Sequence, residues 1–178
     1  MTFEPHAEQL AELEKWFHEE MPRLYRYLCY QTGDVNAAEE ITSRAYEKAF
    51  AKIERFDPAR GEMRVWLFGI ARNELRMYFR SRKQNSVEVS LDSLSDFTVQ
   101  GNSPEEIYQR KEVFIQILRE LVKLPQRDQE IIALRYGAGL PVQQMAVIMG
   151  LEENHVGVLL HRVVNKLKKS LEEVTDER

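Results

Sequence analysis

Between residues 60 and 83, seven basic side chains stand against two acidic ones, in a chain whose formal net charge is −4. On a helix turning about 100° per residue, Arg72, Arg76, Arg80 and Lys83 fall within an arc of roughly 80°. Phe68 and Phe79 lie on or beside that stripe, Arg64 and Arg82 flank it, and Asn73 marks its other edge. Trp66, Leu67, Ile70, Met77 and Tyr78 fall on the opposite face, the expected core side. Cations alone hold a duplex through its phosphates. Aromatic rings among cations, with an amide close by, suit unstacked single-stranded bases, each stack contributing about 1–3 kcal/mol. That is enough to help offset the few kcal/mol needed to unpair one step. The plainer reading puts both Phe rings in the core and leaves the arginines to solubilise the helix.

A second pattern lies near the C-terminus. After LPQRDQEIIALRYG, a helix closed by Gly137, comes GLPVQQMAVIMGLEENHVGVLLHRVV. Its spacing predicts one helix over about 141–149, a sharp turn at Gly150 and a second helix from near Glu153 to about 173. Small Ala146, with Met145, Met149, Leu151, Val156 and Leu159, suits two helices crossing closely. This is the pattern of a helix-turn-helix whose second helix enters the major groove; an αα-hairpin in a bundle is the plainer alternative. Asn154, His155 and His161 are its plausible base readers, and Arg162, Lys166, Lys168 and Lys169 give its later turns a basic end. Glu152 and Glu153 repel phosphates, and Gly157 and Val158 offer no side-chain hydrogen bond to a base edge. Base readout is expected to be weak.

Catalytic chemistry finds little support. His6, His18, His155 and His161 lack metal-ligand spacing, Cys29 has no evident His or Asp companion, and no glycine-rich phosphate loop occurs. Glu19-Glu20 and Glu39-Glu40 read as solvated helix faces. We therefore expect no enzyme and no cofactor. The single Cys29 excludes an intramolecular disulfide and fits a reducing cytoplasm. The first ten residues lack a secretory pattern, and no run of eighteen apolar residues occurs.

The elements that must position these residues read as helices throughout. Residues 4–20 and 22–31 form two amphipathic pieces with Pro22 near the start of the second. TGD at 32–34 is a turn before the run VNAAEEITSRAYEKAFAKIERF. FDPARG breaks the helical pattern, which resumes from about 62 to about 83. Residues 84–103 hold five Ser and no Lys or Arg, marking a linker. Ser103-Pro104 is a cap followed by proline in the first helical turn. The expected fold is all-α: a domain over 1–84, a flexible acidic linker over 85–103, and a domain over 104–178 ending in the helix-turn-helix. A basic stripe in an acidic protein implies local nucleic-acid contact, with acidic surface left for other partners.

The run LYRYLCYQTGDVNAAEEITSRAYEKAFAKIERFDPARGEMRVWLFGIARNELRMYFRSRK resembles the second region of extracytoplasmic-function (ECF) sigma factors, most specifically in AEE, FDPARG and VWLFGIARN. The run from LVKLPQRDQE to NKLKKSL resembles their fourth region. The resemblance implies a promoter-recognition subunit of RNA polymerase that does no bond chemistry. Glu39, Glu40, Arg44, Tyr46 and Lys48 would meet the β′ clamp helices of core polymerase. Phe56, Arg60 and Gly61, with Arg64, Phe68, Arg72, Asn73, Arg76, Phe79, Arg80, Arg82 and Lys83, would capture and melt the −10 element. Arg135, Asn154, His155, His161, Arg162 and Lys166 would contact the −35 element while the domain sits on the β flap. The resemblance also implies an anti-sigma partner, with no membrane insertion, and sends the acidic linker through the polymerase channel.

Several positions depart from the family pattern. Ser43-Arg44 stands where Gln-Glu is usual, Met77 where Asp is common, and Gly157-Val158-Leu159 where polar or basic residues are usual. A phosphate on Thr42 or Ser43 would restore negative charge beside Arg44. Two other readings stay open: a sigma mimic that binds an anti-sigma factor or polymerase without productive promoter recognition, and a stand-alone helix-turn-helix repressor, which leaves the first domain unexplained.

Overall fold

The structure, a computed structural model, describes residues 7–85 and 103–176, and the regular elements among them are all helical. The predicted linker, apart from its end residues Asn85 and Ser103, lies outside the described residues. Helix α1 spans Ala7–Thr32 without interruption, with Pro22 inside it. The sequence reading divided this segment at Pro22. Phe17, Leu24, Tyr27 and Leu28 are all buried, so one apolar stripe continues across the proline while Pro22 itself stays exposed. Burial of that stripe outweighs the hydrogen bond that proline removes.

Gly33 turns the chain with φ 63°, and the Asp34 carboxylate caps helix α2 (Val35–Lys52) by accepting from the Ala37 amide at 3.2 Å. FDPARG then forms the predicted break, a 3-10 turn over Pro58–Arg60 that Asp57 caps and Gly61 ends at φ 151°. Helix α3 runs Met63–Asn85 and α4 Pro104–Leu121, the latter capped by Ser103 with Pro104 in its first turn. Helix α5 (Gln126–Ile132) continues into a π-helical turn over Ala133–Gly137. Helix α6 (Val142–Met149) ends at Gly150, whose φ of 67° makes the tight turn into α7 (Glu153–Asp176).

The two halves do not stand apart. One apolar core runs from Phe17, Tyr27, Leu28, Ile41, Leu67 and Phe68 into Leu134, Ala138, Met145, Met149 and Val156. A smaller cluster joins Val35 to Leu118, Leu121, Ile132 and Val163. At the centre of the junction the backbone of Gly137 packs on α1, where a Cβ would lie 3.1 Å from the Tyr27 Cα. The expected interior of the helix pair is present: Met145, Ala146, Met149, Val156 and Leu159 are buried and Leu151 is half-buried.

Helix α3 is rotated from the sequence reading. Its buried face carries Leu67, Phe68, Ala71, Glu74 and Leu75, while Met77, expected in the core, is 58% exposed. On a helical wheel the buried arc is displaced by about 80° from the expected one, which brings Phe68, beside Arg72, into the core. The physical reason is that α3 packs against α6 as well as α1 and α2, so residues beside the arginines face protein. Among the described residues no helix is long and apolar enough to cross a membrane, and no His/Cys/Asp/Glu group could hold a metal.

Candidate nucleic-acid interface

Fewer of the side chains expected to form a melting surface are exposed on and before α3 than the sequence implied. Arg60, Asn73, Arg76 and Arg80 are exposed. Phe79 is half-buried and packs edge-to-face on Tyr78 with ring centroids 5.5 Å apart. Phe68 is not available to stack on a base: it is fully buried and meets Tyr27 at 5.4 Å. The side chains of Arg82 and Lys83 lie outside the described residues.

Two of the α3 arginines predicted to bind DNA are held in internal ion pairs. Arg64 binds the Glu20 carboxylate through Nε at 2.9 Å and through Nη2, and that hydrogen bonding raises the Arg64 pKa above its ordinary value. Glu20 is 4% exposed, so it is a buried anion on α1 and not part of the solvated face expected from Glu19-Glu20. Arg72 reaches into the other half. Its Nε and Nη2 donate to the two Glu130 carboxylate oxygens of α5 at 2.5 and 3.1 Å. Its Nη1 donates to the Ile148 carbonyl of α6 at 2.6 Å. No signal in the sequence linked Arg72 to Glu130, because the pairing depends on how the halves dock.

The loop before α3 forms a crevice of about 550 Å³. Phe56 and Trp66 lie on its wall with ring centroids 5.4 Å apart, and Arg55, Arg60 and Gly61 border it. Trp66, which periodicity places in the core, is half-buried. A flat apolar wall between cations can receive an unstacked base. Helix α6 leans over this crevice: Gln143, Gln144 and Val147 line it, and the Gln144 amide donates to Glu62 at 2.6 Å.

On α2 the expected polymerase-facing residues separate. Glu39 and Glu40 are exposed, as is Arg44, which pairs with Glu40 one turn away. Tyr46 faces inward: it is 6% exposed and its hydroxyl donates to the Phe17 carbonyl at 2.8 Å. Burial in that α1 contact raises the Tyr46 pKa. Lys48 pairs with the buried Glu74 of α3 at 2.5 Å. Thr42 is also buried, its hydroxyl donating to the Ala38 carbonyl at 2.7 Å, so a kinase could reach only Ser43 of the two.

The helix-turn-helix presents the predicted reader side chains to solvent. Asn154, His155, His161, Arg162 and Lys166 are all exposed. Arg127 approaches His155 at 3.5 Å, Asn165 lies beside His161, and Arg162 stands 3.5 Å from Asp128. Val158, 67% exposed in their midst, leaves a gap in hydrogen bonding across the helix face. Arg135 is exposed but donates to the Leu140 carbonyl at 3.0 Å, bracing the turn before α6.

Comparison with known proteins resolves what this pair of surfaces belongs to. Sigma-70 region 2 matches residues 16–85, and sigma-70 region 4 matches residues 114–167. The ECF sigma factor SigW of Bacillus subtilis is 28% identical over 83% of this chain and 82% of its own length. The chain belongs to the ECF RNA polymerase sigma factor family. The ECF sigma factor BldN of Streptomyces coelicolor is 30% identical over 83% of this chain, which spans 56% of that relative's length. In three dimensions the chain is similar to the sigma factor RpoE crystallised with the anti-sigma factor NepR from Bartonella quintana. That likeness has a TM-score of 0.72 at 21% identity and covers 90% of this chain and 97% of that one. CnrH, solved with the cytosolic domain of CnrY, is similar at a TM-score of 0.62 and 17% identity, covering 94% of this chain and 90% of that one. These structural likenesses bear on the fold.

Proposed function

We propose that this ECF sigma factor binds core RNA polymerase in the cytoplasm, directs it to promoters and opens the DNA without performing bond chemistry itself. The observation that carries this reading is the exposed set Arg60, Asn73, Arg76 and Arg80 on and just before α3, with Arg60 at the Phe56–Trp66 crevice, all within the segment matched by sigma-70 region 2. In this reading the domain over 1–84 captures and melts the −10 element. Exposed Glu39 and Glu40 of α2 meet the β′ clamp helices, and the domain over 104–178 sits on the β flap and contacts the −35 element. The linker over 85–103 joins them. Because Val158 interrupts the reader face, phosphate contacts from Arg162 and Lys166 would contribute much of the −35 affinity.

The packing of the halves adds a requirement. The −10 and −35 elements are about 25 base pairs apart, or about 85 Å at about 3.4 Å per pair. Two modules in contact cannot engage both. The described packing is therefore a closed form, and promoter engagement requires α5–α7 to leave α1 and α3. Parting frees Arg72 and uncovers the Phe56–Trp66 crevice. An anti-sigma partner fits the same reading, because the RpoE and CnrH neighbours were each solved with a bound partner.

The test is run-off transcription from fragmented genomic DNA with core polymerase and purified chain. Initiation at defined sites is expected only when both are present. Absence of initiation from every fragment, with binding to polymerase or an anti-sigma factor retained, would support the mimic reading instead.

A further inference from the structure

A second crevice, of about 260 Å³, opens along the junction of the halves. Gln31, Arg72 and Arg76 line it from the first half, and Gln126, Arg127 and Glu130 line it from the second. The Arg72 charge is matched by Glu130. Arg76 has no hydrogen bond or ion pair among the described residues. Among the described residues Arg127 has only its 3.5 Å approach to His155. Two guanidinium forks unmatched among the described residues therefore border one crevice, and Glu130 is the sole acidic residue of its described lining.

An independent feature points the same way. Gln31 is 3% exposed, and its Nε2 has no hydrogen-bond partner. The fully buried Tyr27 hydroxyl also lacks one, and its pKa is raised by burial and by Glu130, which places it close to the same charges. A buried donor without an acceptor is costly, and a ligand oxygen would satisfy it. Guanidinium forks and an amide donor together suit an oxyanion.

We propose that this crevice is a binding site for a small phosphate-bearing anion, gripped by Arg76 from one half and Arg127 from the other. Its ligand would bridge the halves, favour the closed form and occupy the Arg76 fork needed for DNA. Such binding is linked to closure by mass action, because the site is complete only while the halves touch. The site rests on the crevice geometry and not on the transcriptional reading, so it is tested on the full chain without polymerase or DNA.

Pyrophosphate titrated by isothermal calorimetry at constant ionic strength should show one saturable site per chain. Arg76→Ala and Arg127→Ala, both at exposed positions, should each weaken binding at least about tenfold, as expected from losing one charge-assisted hydrogen bond. Gln31→Leu should weaken it too, whereas Arg119→Ala, which removes a positive charge from α4 outside the crevice, should leave it unchanged. Parallel titrations with nucleoside triphosphates separate two sources: tighter binding than pyrophosphate indicates a nucleotide, and equal binding an inorganic anion. No saturation at millimolar pyrophosphate, or equal binding by the wild type and both arginine variants, would overturn the proposal.

Discussion

Arg72 on α3 and Glu130 on α5 clasp each other through two hydrogen bonds across the junction of the halves, with both side chains largely withdrawn from solvent. The pair joins the helix expected to melt DNA to the module expected to read the upstream element. Glu130→Gln leaves the Arg72 charge poorly matched in the closed form and without that penalty when the halves part. Losing the charged hydrogen bonds should shift the balance toward the open form by about 2 kcal/mol. Faster amide hydrogen exchange in α6 is the expected readout. Unchanged exchange there would show that the clasp contributes nothing to closure.

Gly137 offers a steric test of the same junction. An added Cβ would lie 3.1 Å from the Tyr27 Cα and 3.2 Å from the Arg26 carbonyl oxygen, both backbone atoms that cannot step aside as a side chain can. Gly137→Ala should cost about 1–3 kcal/mol by overpacking. A lower thermal midpoint together with faster exchange at the junction checks it. A midpoint equal to the wild type would mean that the halves do not press together there.

Cys29 is fully buried, and burial pushes its thiol up to about 12. The folded chain should therefore react very slowly with a thiol-specific disulfide reagent at pH 8, because neither thiolate nor access is available. Adding denaturant should release the reaction. Rapid labelling of the native chain would contradict the packing of α1.

Glu120 ties α4 to α7. Hydrogen bonds from Lys123 and from Ser170, the latter at 2.6 Å, hold its carboxyl below the usual carboxylate range. A depressed folded-state pKa gives stability that is fully present above the unfolded value and is lost as pH falls through the folded value. Wild-type stability should therefore fall below about pH 4, near the ordinary Glu value. In Glu120→Gln that decline should be shallower. Urea midpoints between pH 7 and pH 3 check it, and identical acid limbs would remove the Glu120 contribution.

The sequence disclosed most readily what depends on local rules. Ser103 and Gly150 mark helix ends through capping and a left-handed turn, and each does so in the structure. The break at FDPARG follows from Pro58 and Gly61. Pro22 does not end α1, because it is exposed and the apolar stripe is buried on both sides of it. Phe68 and Met77 exchanged their expected roles for a tertiary reason: α3 is enclosed by α6 as well as by its own half, which rotates its buried face by about 80° and takes in Phe68. Arg64 with Glu20, Lys48 with Glu74 and Arg72 with Glu130 are ion pairs between residues distant in sequence, and helical spacing carries no information about them.

The most direct test of promoter melting by α3 is permanganate reactivity of thymines in the −10 element of a promoter recovered by run-off transcription. Core polymerase with the wild-type chain should make those thymines reactive. Arg76→Ala should lower the signal about tenfold, as expected for loss of a charged contact to DNA. Gly157→Ala, on the weak reader face of α7, should change promoter binding far less. Reactivity that is absent with the wild-type chain, or losses that are equal or reversed between the two variants, would contradict the account.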